Sequence, residues 1–348
     1  MRRIPSAVLA AALLAAALPA RAEEKKPAEP GPWQFKSTAQ LQLSQSAYST
    51  NWAGGDRGSI VWVLGALSSA ERQFTARFHL SNTLGLAYGQ TSRQQPDPSN
   101  PGELVWDAPD KTTDQILFES IGRWTLGGYV DPYAALRLDT QFSDQTFPNG
   151  DLPLNPVKVK ESAGIARQWV KTDRQELLSR LGFGFRQTFA RSFVEAPPSE
   201  RTESFTANDG GVEFQSKATW PLLGGRVIYK GDLLVFQPVF FSKSDALERF
   251  DALVRAGDAS RPAEPGAEAV ADFWKATDVN LQNTFSAEIS RSISVNLFAQ
   301  LVYDKFDAAA NVDPALELAK LVPEVRKNVR KAGQFKQTLA IGISYRLF

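Results

Sequence analysis

Cysteine is absent from this chain, and histidine and methionine occur once each in 348 residues. Without thiols there is no disulfide, no lipoprotein anchor and no cysteine-ligated zinc, and a single imidazole cannot build a multi-histidine metal site. The charge balance is also uninformative in a useful way. With 39 basic and 38 acidic residues, the chain lacks the basic excess that nucleic acid requires of a partner. No phosphate loop or dinucleotide fingerprint follows a strand-like run. The sequence therefore predicts no metal and no cofactor. Beyond residue 22 there is no stretch near the ~20 apolar residues that span a bilayer as a helix.

The amino terminus supplies the first positive signal. Residues 1–22, MRRIPSAVLAAALLAAALPARA, begin with Arg2 and Arg3, continue through an apolar centre and end on Ala20-Arg21-Ala22. This is the pattern of a secretory signal peptide cut after Ala22; the twin-arginine context is missing, so export through Sec is expected. Residues 23–32 read as a disordered linker rich in charge and proline. Residues 33–348 form the remaining unit.

From Trp33 onward the dominant period is two. Phe35, Ala39, Leu41 and Leu43 alternate with Lys36, Thr38, Gln40 and Gln42, which gives a strand one apolar and one polar face. The pattern recurs about twelve times, and the 22 Phe and 8 Trp sit in it beside a negative mean hydropathy. Connections alternate long and short, with tight turns expected at 68–71, 127–128, 171–174, 221–225 and 290–292. Long loops are expected between them, one of them from Glu195 to Gly210. Two long inserts, 245–258 and 313–333, have helical composition. Pro314 suits a helix start, and Pro323 would kink or break the second helix. The fold class this implies is all-β: an up-and-down antiparallel transmembrane β-barrel of about twelve strands, with long outer loops and one or two helical inserts.

A two-sheet sandwich also alternates, but it buries its apolar face against a second sheet and does not line the other with charge. Here the polar face carries both signs. Arg77, His79, Arg137, Asp139, Arg180, Arg186, Lys230, Asp232 and Asp278 are the expected lumen lining, along with Glu119, Glu213 and Lys217. Trp33, Trp62, Trp124, Trp169, Trp220 and Tyr345 fall near strand ends, as an aromatic girdle would. The location expected is the outer membrane of a Gram-negative bacterium, with outer-membrane lipid and lipopolysaccharide as surroundings. The last strand, ending in Phe348 with Tyr345 three residues before it, is expected to engage the barrel-assembly machinery.

Between the first two strands stand Asn51, Trp52, Gly54 and Gly55, in STNWAGGDRGSI. With NTLGLAYGQT, KTTDQILFESIGRW and AALRLDTQFSD, this stretch resembles the family known as domain of unknown function 3078. The similarity covers about residues 33 to 190. The spacing between Asn-Trp and Gly-Gly is one residue shorter than the family's. The resemblance implies an outer-membrane barrel and carries no established activity. In physical terms Asn51, Trp52, Gly54 and Gly55 read as a compact turn at the outer mouth, the glycines permitting positive φ and Trp52 an interfacial anchor.

One constellation invites an enzymatic reading. His79 and Ser81, in RFHLSN, are alternate residues and share a strand face, as the base and nucleophile of an outer-membrane acyl hydrolase of the phospholipase A or lipid A deacylase type would. The apolar residues of that strand are even-numbered, so His79 and Ser81 point to the lumen. A turn at 68–71 places them near mid-membrane or below. Thr83 stands where the phospholipases have glycine. Asp107, Asp110 and Asp114 in an outer loop suit weak calcium binding or, more simply, solvated charge. The expectation is a barrel without catalytic residues that passes small solutes passively through a mixed-charge lumen, or serves a structural or surface-binding role. The acyl hydrolase using His79 and Ser81 is the alternative.

Overall fold

The computed structural model describes residues 29–46, 57–100, 103–195, 197–260, 269–290, 292–308, 310–330 and 333–346. The expected signal peptide, most of the linker, the turn Asn51, Trp52, Gly54 and Gly55, and the terminal Phe348 lie outside the described residues.

Twelve long strands follow one another: β1 (Gln34–Ser46), β2 (Ser59–Gln73), β3 (Phe78–Pro96), β4 (Asp110–Trp124), β5 (Asp131–Thr140) and β6 (Val157–Lys171). After these come β7 (Glu176–Phe193), β8 (Thr202–Leu222), β9 (Val227–Phe241), β10 (Asp278–Glu288), β11 (Ile293–Tyr303) and β12 (Gln334–Arg346). Each pairs antiparallel with the next, and β1 pairs with β12 through Leu41 opposite Ile343. The result is a closed twelve-stranded antiparallel barrel. Closure gives each strand a neighbour on both sides, so backbone donors along the paired stretches find partners within the sheet.

Strand registers assign each side chain to a face, and alternation makes the faces different in kind. Leu41, Leu64, Leu84, Leu181, Phe183, Leu339 and Ile341 point outward and are exposed. Large apolar side chains turned outward around a whole sheet suit contact with hydrocarbon. Aromatic rings gather at the ends of this apolar surface. Trp33, Phe74, Phe78 and Trp124 contact one another in series at one end, with centroid separations of 5.6, 5.8 and 4.8 Å. Trp62, Tyr88 and Phe142 do so at the other end. No helix among the described residues is long and apolar enough to cross a membrane.

Connections at one end are short, at 74–77, 125–130, 172–175, 223–226 and 289–292; those at the other end are long. Three of the short turns use one device. Thr75 Oγ1 accepts from the amides of Arg77 (3.2 Å) and Phe78 (2.9 Å), and Thr172 Oγ1 from Arg174 (3.3 Å) and Gln175 (2.9 Å). Ser290 Oγ accepts from Ser292 (3.3 Å) and Ile293 (3.1 Å). A hydroxyl that takes the amides two and three residues ahead closes the turn before the next strand begins.

Two corrections to the sequence reading follow. The turn expected at 68–71 lies at 74–77, because β2 runs on to Gln73. The loop expected from Glu195 to Gly210 is shorter, because β8 begins at Thr202.

The two helical inserts meet at the long-loop end and form a cap. One carries α1 (Ser244–Ala256) and a 3-10 turn at Val270–Lys275, the other α2 (Leu318–Asn328). Leu247, Phe250, Val270, Phe306, Val312, Leu321 and Val325 are almost fully buried together, and Phe241 and Ala207 of the barrel wall join them. Asp251 stitches the cap internally, accepting the amides of Val270 (3.1 Å) and Ala271 (3.0 Å). The second helix is shorter than its composition suggested. Pro314 lies in the turn before it, and Pro323 sits inside it.

Candidate functional site

The inward faces of the twelve strands form the lumen, and it has two dissimilar halves. On β4 to β9 charged residues recur along the inward face, among them Glu119, Arg137, Lys160, Arg180, Arg186, Glu213 and Asp232. Arg180 on β7 donates to Glu119 Oε1 on β4 at 3.0 Å and to the side-chain oxygen of Gln215 on β8. Lys217 donates to the other oxygen of Glu119 at 2.9 Å. Gln215 passes the network on to Asp232 of β9 at 2.9 Å. Glu119, Arg180, Glu213 and Gln215 are all at least nine-tenths buried. These chords cut across the barrel and fill that half of it.

A second layer lies nearer the long loops. Lys160 Nζ reaches Glu213 Oε2 at 2.5 Å. Arg186 grips Asp209 with two nitrogens and Asp278 with a third at 3.0 Å, while its guanidinium lies 3.8 Å from the centre of the Phe236 ring. Arg137 and Asp139, alternate residues of β5, form a two-point pair at 2.6 and 3.0 Å. Bidentate geometry and aromatic stacking are what arginine supplies and lysine does not.

Above this layer sits a cavity of about 300 Å³, roofed by Asp304, Phe306 and Asp307 of the cap. Arg330 holds the roof through Asp304 (2.7 Å) and Asp307 (2.8 Å), and Lys158 of β6 approaches Asp307 at 3.9 Å. Further contacts tie the cap down: Lys243 to Asp313 at 2.6 Å, and Asn311 to Ser192 of β7 at 3.4 Å. The hydrogen bond from Lys243 holds the Asp313 carboxyl below the ordinary aspartate range.

The other half, formed by β10, β11, β12, β1, β2 and β3, is different. Between its two mouths every inward position is uncharged, from Asn280 to Ser286 on β10 round to Ser81 to Gly89 on β3. Charge appears near the strand ends: Asp278, Lys336 and Arg93 towards the long loops, and Lys36, Glu71, His79, Glu288 and the Arg346 position towards the turns. Leu67 faces inward opposite Thr38 and is still 55 % exposed, so the space beside it is open.

Of the expected lumen residues, His79, Arg137, Asp139, Arg180, Arg186, Lys230, Asp232 and Asp278 fall on inward positions. Arg77 does not: it lies exposed in the turn at 74–77, because that turn falls later than expected. The same shift moves His79 from the middle of the wall to its end, the second residue of β3, with Nε2 3.8 Å from Glu71. Ser81 is two residues on, also inward, and no hydrogen bond among the described residues joins it to His79. Lys230 is exposed and has no ion pair among the described residues. Asp107 and Asp114 serve the loops rather than a cation. Asp107 accepts from Ser92 and the Arg93 amide, Asp114 from Lys111 and the amides of Phe142 and Ser143.

Sequence reading overlooked Lys158 and Lys160, although their alternation with Val157 and Val159 marks them as inward. It also overlooked Glu161. The register sets Glu161 between Leu136 and Phe185 on the outward face, in a shallow groove with Gly122, Ala134 and Ala163, with no ion pair among the described residues.

The fold defines an outer-membrane-type β-barrel. The family described as protein of unknown function (DUF3078) matches residues 43–145, from the end of β1 to just beyond β5, in agreement with the resemblance carried by the first strands. No curated protein shows significant similarity to the sequence.

Among solved structures, an outer-membrane channel from Pseudomonas putida F1 is similar at 12% identity and a TM-score of 0.37, covering 92% of this chain and 97% of that one. The translocator domain of the autotransporter NalP from Neisseria meningitidis is similar at 10% identity and a TM-score of 0.35, covering 98% and 96%. The β domain of the Bordetella autotransporter BrkA is similar at 12% identity and a TM-score of 0.30, covering 92% and 99%. The architecture stated above rests on the strand pairing, not on these likenesses.

Proposed function

We propose that this protein is an outer-membrane barrel of a Gram-negative bacterium, exported through Sec, and that small solutes cross it passively. The observation that carries the reading is the pairing of an apolar outward surface with an inward leucine left more than half exposed. A filled barrel would bury Leu67, as the charged half buries Arg180 and Glu119. Outer-membrane lipid and lipopolysaccharide are the surroundings this surface suits. The apolar alternation of β12 suits recognition by the barrel-assembly machinery.

The acyl hydrolase reading has no comparable support. Such an enzyme presents its histidine and serine to lipid, within hydrogen-bond reach of each other. Here both residues face inward, and no hydrogen bond among the described residues joins them.

Planar-bilayer recording of the refolded protein tests the proposal. Discrete conductance steps are expected. Their absence at every salt concentration overturns passage and leaves a structural or surface-binding barrel.

A further inference from the structure

The uncharged half of the lumen is an unusual lining for a barrel this rich in charge. It is neither apolar nor ionic. Gln40 and Gln42 on β1, Gln282 on β10 and Gln300 on β11 set carboxamides along it. The amides of Gln40, Gln42 and Gln282 have no hydrogen-bonding side chain among the described residues, so their donors and acceptors are turned to the lumen. Hydroxyls of Thr38, Thr83 and Thr338 stand among them. Apolar surface is interleaved at specific places: Val63 opposite Gln42, Leu67 opposite Thr38, and Phe298 beside Thr338.

We propose that this half is a passage selective for uncharged polyhydroxylated solutes of sugar size, and that the charged half is a structural buttress closed to ions. The inference rests on the passage reading given above and adds the class of solute.

The chemistry follows from what each wall can offer. An ion entering a narrow lumen loses part of its hydration and needs fixed charge or converging dipoles in exchange. The buttress has charge, but Glu119, Glu213 and Asp209 are already bonded to Arg180, Lys217, Lys160 and Arg186. These paired charges neutralise one another inside a buried layer and leave little field for a passing ion; Lys230, exposed and without an ion pair among the described residues, stands at the edge of the layer opposite Thr284. Among the described residues the open half has no charged inward position between Lys336, which lies beside Gln300 towards the long loops, and the group near the turns.

A neutral polyol fits that half on both counts. Its hydroxyls exchange water for carboxamide donors and acceptors at little net cost. Its C–H face rests on Leu67, Val63 and Phe298. Weak contacts distributed along a wall allow a solute both to bind and to leave.

The test is osmotic swelling of proteoliposomes holding the refolded protein. Glucose is compared with gluconate and with glucosamine, which match it in size and differ in charge. Glucose is expected to enter several-fold faster than either ion. Two variants place charge in the open half at separate points, Gln42→Glu and Gln282→Glu. Each is expected to slow glucose and to move the reversal potential in a salt gradient toward cations. The double variant Glu119→Gln with Lys217→Gln, which removes a pair from the buttress without changing its net charge, is expected to leave the reversal potential unchanged.

Equal or faster entry of the charged solutes overturns the inference while leaving passage intact. So does a reversal potential that answers to the charge-neutral double variant of Glu119 and Lys217 and not to the glutamine variants. No flux of any solute overturns passage itself, and the inference with it. Retained heat-resistant migration on gels shows that each variant has folded.

Discussion

Glu119 shows what a single charged side chain does in this barrel. It is 7 % exposed and lies between Arg180 and Lys217, which come from strands far along the chain. A buried pair contributes little net stability against an apolar replacement, but removing one partner strands the others in a poorly solvated place. Glu119→Gln is therefore expected to lower the unfolding free energy by about 3 kcal/mol, measured by urea denaturation of the barrel in lipid; an unchanged midpoint would mean that water already serves Arg180. Glu161 makes the opposite case, since its carboxylate faces outward among Leu136, Phe183 and Phe185. Charge on a lipid face costs stability, less for carboxylates than for cations. Glu161→Leu should raise the unfolding free energy by about 1 kcal/mol in the same assay, and a loss instead would show that the carboxylate has a partner in the membrane. Sequence alternation places most lumen residues by parity alone, His79 and Arg180 among them. Parity also assigns Glu161 outward, but against its chemical type, so composition alone passes over it.

At the scale of elements, turns and cap behave differently. Thr75, Thr172 and Ser290 each close a turn by accepting two amides from the residues just ahead. That is a short-range pattern, and the turns expected at 171–174 and 290–292 from the alternation of long and short connections fall on it, at 172–175 and 289–292. The turn at 74–77 has the same threonine, yet the serines at 68 and 69 look more like a turn. They prove instead to be strand residues, Ser68 bonding to Ser37 of β1 at 2.8 Å. A hydroxyl can terminate a strand or tie two strands together, and only the partner across the sheet distinguishes the two.

The cap depends on contacts with more distant residues. Lys243 holds Asp313 below its ordinary range, so this group contributes stability while ionised, above the unfolded aspartate value near ~3.9. That contribution is lost as pH falls through the lowered folded value. Hydrogen exchange in α1 is thus expected to speed up as the solution is acidified below the ordinary aspartate range. In Asp313→Asn this acid-induced component should vanish; if it persists, other carboxylates control the cap.

At the scale of the whole molecule, the barrel and the cap are separable in principle. The cap's hydrophobic core is largely its own, with Phe241 and Ala207 as its seat on the wall. Replacing 304–333 with a short turn should leave the twelve strands closed and raise the single-channel conductance, because Asp304, Phe306 and Asp307 roof the cavity below. Unchanged conductance would place the constriction in the buttress instead. The number of strands, their up-and-down order and the polarity of each face could be read along the chain, because a period of two is a local property and an outward apolar face needs no partner to declare itself. Which half of the lumen is filled could not. Arg180 and Glu119 are 61 residues apart, Lys217 and Glu119 98 apart, and Arg186 and Asp278 92 apart. Alternation says that each of these groups points inward, but their pairing depends on which strands lie across from one another once the sheet has closed.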